Sequence, residues 1–559
     1  MSNIYRLIPA FRWLSTYRKN DLMGDITAGL TVAVILVPQG MAYAMLAGLP
    51  PVIGLYASTI PLIVYALLGS SRHLAVGPVA MISLLVTVAC SKLTSPGTHE
   101  YLSLVLLLAF MVGSLQFLLG IFKMGFLVNY LSHAVISGFT SAAAIIIALS
   151  QLKHLLGIQL TSSHIIAKII REIPVNLSET HLLTVFIGIV SIILLFAGKR
   201  WFPKLPTAFV IVILSTAAVY YWNLEKYGLE IIRNVPSGIP DFDLPSLTWK
   251  SIQTLLPVAV TIVFVGYMES IAIAKSIASK EKYNVDPNQE LLSLGAANIA
   301  ASFFSGYPVT GGFSRTAINH QAGARTGLAS IITACLIMLT LLFFTHLFYY
   351  LPKSVLAAIV IVAVMSLIDI KEPIRLFKIK KADGWTLILT FVITLSTGIE
   401  TGILAGIIFS LIIFIWRSAH PHIAELGYLP EKNAFLNLQR FPQAKSIPNV
   451  LILRIDASLY FANAGFVENY LRAKIAHKKT LNWIIIDLIG VNDIDAVAVR
   501  VLEDLMESYE PAGISFAFSE IKGPVRDILA RADWENKFHH HLRYKALPEL
   551  LDELGLSYR

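Results

Sequence analysis

Charge is scarce in this 559-residue chain: 14% of its residues are Asp, Glu, Lys or Arg, and 56% are hydrophobic. A soluble protein carries about 25% charged residues, so much of the surface must face something other than water. Cysteine is almost absent, with Cys90 and Cys335 both in or beside apolar runs. That excludes a disulfide framework and leaves the two as core fillers. The chain has no HExxH, no P-loop signature and no nucleophile motif. A zinc protease, an ATP-driven pump and a membrane enzyme each lose their machinery by that absence, and no cofactor or metal is expected. The net charge of +9 invites a nucleic-acid reading. In a membrane protein the simpler source is Lys and Arg collecting on cytoplasmic loops.

What the chain has instead is apolar runs. A spanning helix needs roughly 20 apolar residues, and such runs recur from Ile26 to Trp416. The length rule predicts about fourteen spans, with cores near 24–46, 52–69, 76–91, 101–122, 128–150, 181–198, 206–222, 252–275, 290–304, 312–322, 327–350, 354–369, 385–398 and 402–417. The first run follows Arg12, Arg18 and Lys19 but is long, holds Pro38 and Gln39, and is followed by many more spans, which speaks against a cleaved signal peptide. With the N-terminus inside, Arg6, Arg12, Arg18, Lys19, Arg72, Lys123, Lys199, Arg200, Lys204, Lys275, Lys280, Lys282, Arg325, Lys371, Arg375, Lys378, Lys380 and Lys381 fall inside. The short outer links Gly48–Pro51, Ser305–Tyr307 and Ser396–Thr401 hold no basic residue, and the longer outer loops hold scattered ones such as Lys153, Lys168 and Arg171. The asymmetry predicts cytoplasmic N- and C-termini.

Two segments break the helical pattern in the same way. His73–Gly77 is a short extended run, followed by Pro78 and apolar helix; Tyr307–Gly311 is another, followed by Gly312 and Ser314–Asn319. They lie in the third and tenth spans, and an odd spacing of seven inverts the second copy. Pro and Gly also kink ordinary membrane helices. The matched pair is what points to a transport site.

Freed backbone at membrane depth must be buried in protein or line a cavity. Two half-helices starting there aim two N-termini at one place, each with unpaired N–H groups and a partial positive charge of about half a unit, which suits an anion. Gly311 and Gly312 would let a ligand approach bare backbone, and Pro78 gives up no useful donor if it holds the first helical position. Arg315 follows, and a guanidinium at this depth is costly unless paired with a carboxylate, a carbonyl or a bound anion. An alternative is an Arg that only reaches the interface. Ser314 is either a helix cap or a ligand donor. Glu269 stands in Leu256–Ala274, a run otherwise apolar except for Thr261, Tyr267 and Ser270. An intramembrane carboxylate is a functional candidate: it can pair with Arg315 or Lys275, carry a coupling proton, or ligate sodium. A structural ion pair is the plainer alternative. Gln39 and Tyr43, four apart, share one helical face and are pocket candidates, with packing the plainer role for Tyr43.

These residues give the chain a specific resemblance. VPQGMAYAMLAGLPPVIGLYAS at 37–58, LLGSSRHLAVGPVAMISLL at 67–85, YMESIAIAKSIA at 267–278 and GYPVTGGFSRTAINHQAGARTGLA at 306–329 resemble the sulfate permease family of anion transporters. The resemblance implies a seven-plus-seven inverted repeat with core and gate domains, elevator-like alternating access and a homodimer. It implies a substrate pocket at Gln39, Tyr43, Val79, Gly312, Ser314 and Arg315, with Glu269 at the position of the carboxylate kept by many coupled members. Sulfate, bicarbonate, chloride and dicarboxylates are all family substrates.

From about His420 charged residues return and apolar runs shrink to strand length. Val450–Ile455, Trp483–Asp487 and Ile514–Phe518 read as strands, and Ala464–His477, Ala496–Tyr509 and Val525–Ala532 as helices, which predicts a small α/β domain. It resembles the STAS domain of the same family, related to anti-sigma-factor antagonists. Where those antagonists place a phosphorylatable Ser, this chain has Asp493-Ile494-Asp495-Ala496-Val497. Both candidate positions are apolar, and Asp495 reads as a helix cap. The expected organisation is therefore a polytopic α-helical transport domain over 1–430 and a cytoplasmic STAS domain over 431–559. The expected function is multi-pass secondary active transport of a small anion across the cell membrane, coupled to a proton or sodium, with the lipid bilayer as the chain's solvent and no nucleic-acid partner. An uncoupled channel or exchanger, and an anion sensor signalling through the tail, are the competing readings.

Overall fold

The computed structural model describes residues 8–558 except 127–131, 159–165, 203–204, 246–247, 479 and 539–544, with backbone only at 167–170 and 400. Arg6 and Lys204, the start of the span expected at 128–150, and the side chain of Lys168 lie outside that set. The chain divides into two compact units, Met1–Ser410 and Leu411–Arg559.

The first unit is helical: α1 (Ala10–Ser15), α2 (Lys19–Leu46), α3 (Pro51–Tyr56), α4 (Ile60–Leu68), α5 (Ala80–Cys90), α6 (His99–Ile121), α7 (His133–Ser150), α8 (Leu152–Leu156), α9 (Ile166–Asn176), α10 (Leu182–Trp201), α11 (Thr207–Trp222), α12 (Trp249–Lys280), α13 (Pro287–Phe303), α14 (Phe313–Gln321), α15 (Leu328–Leu339), α16 (Lys353–Met365), α17 (Lys371–Ile379), α18 (Lys381–Thr397) and α19 (Ile399–Ala419), within which the division falls. Every expected span carries helix. Among the described residues eight helical segments are long and apolar enough to cross a membrane, and three more are shorter and apolar. The span expected at 52–69 is interrupted: α3 ends at Tyr56, and α4 restarts with Pro61 in its first turn. Pro lacks the N–H that would continue the ladder but is at home in a first turn. The seam between α2 and α3 is tight, since a Cβ on Gly54 would stand 1.9 Å from the Gly40 carbonyl oxygen. Small residues permit that approach where helices pack in lipid.

The only two-stranded sheet among the described residues of this unit joins the two irregular segments. β1 (Val76–Gly77) and β2 (Thr310–Gly311) pair antiparallel, with Val76 opposite Gly311 and Gly77 opposite Thr310. Segments 234 residues apart in sequence thus satisfy each other's backbone, as lipid-inaccessible irregular backbone must.

The stem leading into β1 is anchored by a carboxylate. Glu290, on α13 and fully buried, accepts from Tyr65 Oη at 2.8 Å, from Ser70 N and Oγ at 2.8 and 2.7 Å, and from Ser71 N at 3.0 Å. Asp25 on α2 does the same for the loop after α14, accepting from the Arg325 and Thr326 amides at 2.7 and 3.0 Å and the Thr326 hydroxyl at 2.6 Å.

The second unit is an α/β sandwich. β3 (Ile423–Leu429), β4 (Ala434–Asn437), β5 (Val450–Ile455), β6 (Trp483–Asp487) and β7 (Ser515–Ser519) form one sheet in the order β4-β3-β5-β6-β7. β5, β6 and β7 run parallel, and β3 is antiparallel to β4 and β5. Parallel strands covered on both faces read as continuous apolar runs, as VLILRI and WIIID do. Leu451, Leu453 and Ile455 join one core with α20 (Phe461–His477), α21 (Ala496–Tyr509) and α22 (Gly523–Arg531). Val450 and Ile452 face the other way, with Leu547, Leu550 and Leu551. Asp495 caps α21 through Ala498 N at 2.8 Å, and its other oxygen accepts from Phe461 N, also at 2.8 Å. The strands β3 and β4 were not among those expected. β3 alternates weakly, and its register comes from its neighbours.

Removing the Glu290 carboxylate takes the acceptor from Tyr65 Oη, from Ser70 N and Oγ and from Ser71 N, and a buried donor left unpaired costs about 1–3 kcal/mol. Glu290→Ala is expected to lower the thermal midpoint of the detergent-purified protein clearly, and Tyr65→Phe to lower it by less. Unaltered melting of Glu290→Ala would remove its anchoring role.

Candidate functional site

The two half-helices begin where the paired strands end. α5 starts at Ala80 with Val79 as its N-cap, and α14 starts at Phe313 with Gly312 as its N-cap; no side chain caps either. Their first-turn amides are therefore free of side-chain caps, and two positive helix ends meet. Pro78 precedes the cap and so does not hold the first helical position. Its carbonyl oxygen accepts from Arg315 Nη1.

Arg315 is the centre of the site. It is 2% exposed, and its Nε and Nη2 are buried with no hydrogen-bond partner among the described residues. Two glycines make room for it. A Cβ on Gly77 would stand 3.3 Å, and one on Gly312 2.9 Å, from Arg315 Nη2. What the bare backbone of Gly312 admits in this conformation is the guanidinium. Gly311 has a different reason, since its Cβ would stand 2.5 Å from Leu74 Cδ1. The titratable side chains that act on Arg315 are Tyr43, Glu269 and Tyr307.

The remaining expected residues differ in burial. Tyr43 and Val79 are buried, at 7% and 6% exposure. Gln39 is partly buried, one turn before Tyr43 on α2, and Glu269 is partly buried on α12. Glu269 forms no ion pair among the described residues, so neither the Arg315 nor the Lys275 pairing is made; the cation acting on it is Arg315, across space. Ser314 is exposed and does not cap α14, because the extended Gly312 occupies that position.

Three residues that sequence reasoning missed hold the site in shape. Asn298 on α13 serves both backbone groups of Val309, accepting from its N–H at 2.7 Å and donating to its carbonyl at 3.0 Å, and donates to Gln116 Oε1 at 2.9 Å. Ser270, beside Glu269, shares a hydroxyl hydrogen bond of 2.7 Å with Thr310 and accepts from Gly311 N at 2.9 Å. Tyr307, fully buried, meets Ser83 of α5 hydroxyl to hydroxyl at 3.0 Å. The signal that could have found Asn298 and Ser270 is the one that found Glu269, a polar residue in an apolar run.

The sequence profile of the sulfate permease family matches residues 22–390, and that of the STAS domain residues 441–546. The chain belongs to the sulfate permease family. Among its relatives, Sulfate transporter 4.1, chloroplastic, of Arabidopsis thaliana is 39% identical over 545 residues, covering 94% of this chain and 79% of the relative. High affinity sulfate transporter 2 of Stylosanthes hamata is 34% identical, covering 93% and 82%. The inward-facing structure of the murine Solute Carrier 26 family member A9 anion transporter superposes with a TM-score of 0.91 at 27% identity, covering 99% of this chain and 95% of that one. The transmembrane domain of the cyanobacterial bicarbonate transporter BicA shares the fold, with a TM-score of 0.62 at 23% identity over 71% of this chain and 98% of that one. The fold class is thus the expected one, a polytopic helical transporter fold followed by a small α/β STAS domain.

Because Gly311 abuts Leu74, Gly311→Ala is expected to destabilise by about 1–3 kcal/mol, the usual cost of overpacking. Combined with Leu74→Ala it should cost less than the two single changes together, read by thermal unfolding of all three variants. Strict additivity would mean the two residues do not press on each other.

Proposed function

We propose that this protein is a secondary active transporter of small anions, of the sulfate or bicarbonate kind, driven by a proton or sodium gradient. The observation that supports this most is the buried Arg315 guanidinium with two unpaired nitrogens where two helix N-termini converge. A buried charged donor left unpaired is costly, and a bound oxyanion supplies acceptors for it in an electropositive setting. The named relatives are sulfate transporters, which favours sulfate among the candidates.

Coupling follows from Glu269. An ionised carboxylate acting on the same guanidinium competes with an incoming anion. Protonation, or a sodium ion on its oxygens, removes that competition. Anion and cation then favour each other's binding, and by linkage the effect is reciprocal. Gln39, Tyr43, Val79 and Gly312 line the anion's place, and Ser314, exposed as it is, would contribute only on the side open to solvent. Elevator-like movement of the site, a homodimer, a location in the cell membrane and cytoplasmic termini complete the proposal. The location is weighed against one relative whose name carries the word chloroplastic. The membrane domain, 1–430 by sequence, would then hand over to a cytoplasmic STAS domain whose sheet includes β3.

Purified protein in liposomes should accumulate labelled sulfate or bicarbonate when a proton or sodium gradient is imposed. Voltage-driven flux with no accumulation by either gradient would instead mean a channel. Exchange alone would mean an exchanger, and binding without movement a sensor. Glu269→Gln is expected to abolish gradient-driven accumulation while leaving anion exchange or binding partly intact; full accumulation in that variant would end the coupling role. Arg315→Ala should weaken anion binding about tenfold or more, the share of a charged hydrogen bond. Equal affinity would make Arg315 structural.

A further inference from the structure

The helix α17 lies between α16, which ends at Met365, and α18, which begins at Lys381. It has two opposed edges. One is fastened to the protein. Asp369, just before the helix, caps it through the Lys371 and Glu372 amides at 2.9 and 3.0 Å. Buried Glu372 lies 3.4 Å from His133 Nε2 at the start of α7 and 3.4 Å from Arg375 Nη1.

On the opposite edge Phe377 packs edge-on against Trp385 with ring centres 5.6 Å apart, and the isoleucines beside it are open. Ile370 and Ile374, one helical turn apart, are 75% and 58% exposed, on the side of the helix turned from Glu372. Beside them, at the spacing that places residues on one stripe, stand Lys371, Arg375 and Lys378, all exposed, and Lys380 and Lys381 follow. An exposed apolar stripe flanked by a basic one, on a short helix between two membrane helices, is the pattern of a segment that lies in the plane of the bilayer surface. Over 369–383 five positive charges stand against Asp369, Glu372 and Asp383, Glu372 being engaged by Arg375 and His133, and the positive excess selects the sign of the surface it meets.

We propose that α17 is an interfacial helix that binds anionic phospholipid, with Ile370 and Ile374 entering the acyl boundary and Lys371, Arg375, Lys378, Lys380 and Lys381 collecting phosphate headgroups. The site is independent of the pocket at Arg315 and takes a different ligand.

The test is a depth and composition measurement on the full chain. Ile374→Cys in a Cys335→Ser background is labelled with a bimane fluorophore. The protein is reconstituted in phosphatidylcholine vesicles containing a minority of phosphatidylglycerol, with bromine carried on one lipid or the other. Quenching by brominated lipid, with little quenching by aqueous iodide, is expected. Per mole, brominated phosphatidylglycerol should quench at least about fivefold more strongly, the enrichment that one basic side chain near an anionic surface gives. Raising the salt concentration should shrink that ratio in the same protein, and K371Q/R375Q/K378Q should shrink it while quenching by bulk lipid remains. Equal quenching per mole by the two lipids overturns the proposal. So does dominant iodide quenching, which means a solvated face. Protection from both quenchers also overturns it, since the face would then be covered by protein, whether the tail or a second copy.

Discussion

The structure depends on a rule of lipid: a peptide group that leaves a helix inside a membrane must find its partner within the protein. Two segments leave helix here, and they satisfy one another through the β1–β2 pair. That solution produces the site as a by-product. Once the strands pair, the half-helices that follow must both start at the same place, and their uncapped ends make it electropositive. Arg315 adds a full charge to that place and keeps two nitrogens unpaired. The cost of such a group is bearable only where function requires it or a ligand relieves it.

Much of this was legible in the sequence, for a local reason. Tyr307–Gly311 and His73–Gly77 announce themselves because Gly and Pro interrupt apolar helix, and α5 and α14 follow them as expected. Glu269 and Arg315 announce themselves as ionisable residues in apolar surroundings. The tail strands β5, β6 and β7 are legible because parallel strands buried on both faces are uninterrupted apolar runs.

What stayed illegible is set by distant partners. Glu290 reads as the edge of an apolar run, and only the fold brings Tyr65 and Ser70 to it from more than 200 positions earlier in the chain. Asn298 serves Val309 eleven residues on, a relation no helical periodicity encodes. Pro78 lies before the helix cap, and only the fold shows that its carbonyl accepts from Arg315. The pairing of β3 with β4 and β5 depends on register, which local pattern specifies weakly at a sheet edge.

The hydrogen bonds around the broken helices have one more consequence. Glu290 ties α13 to the stem of β1, Asn298 ties α13 to Val309, Ser270 ties α12 to β2, and Arg315 ties α14 to Pro78. The irregular backbone of the site is therefore lashed to neighbouring helices at four points. Such a set has no soft joint at its centre; it holds its shape as one piece, and whatever flexes must lie at the rim where those ties stop.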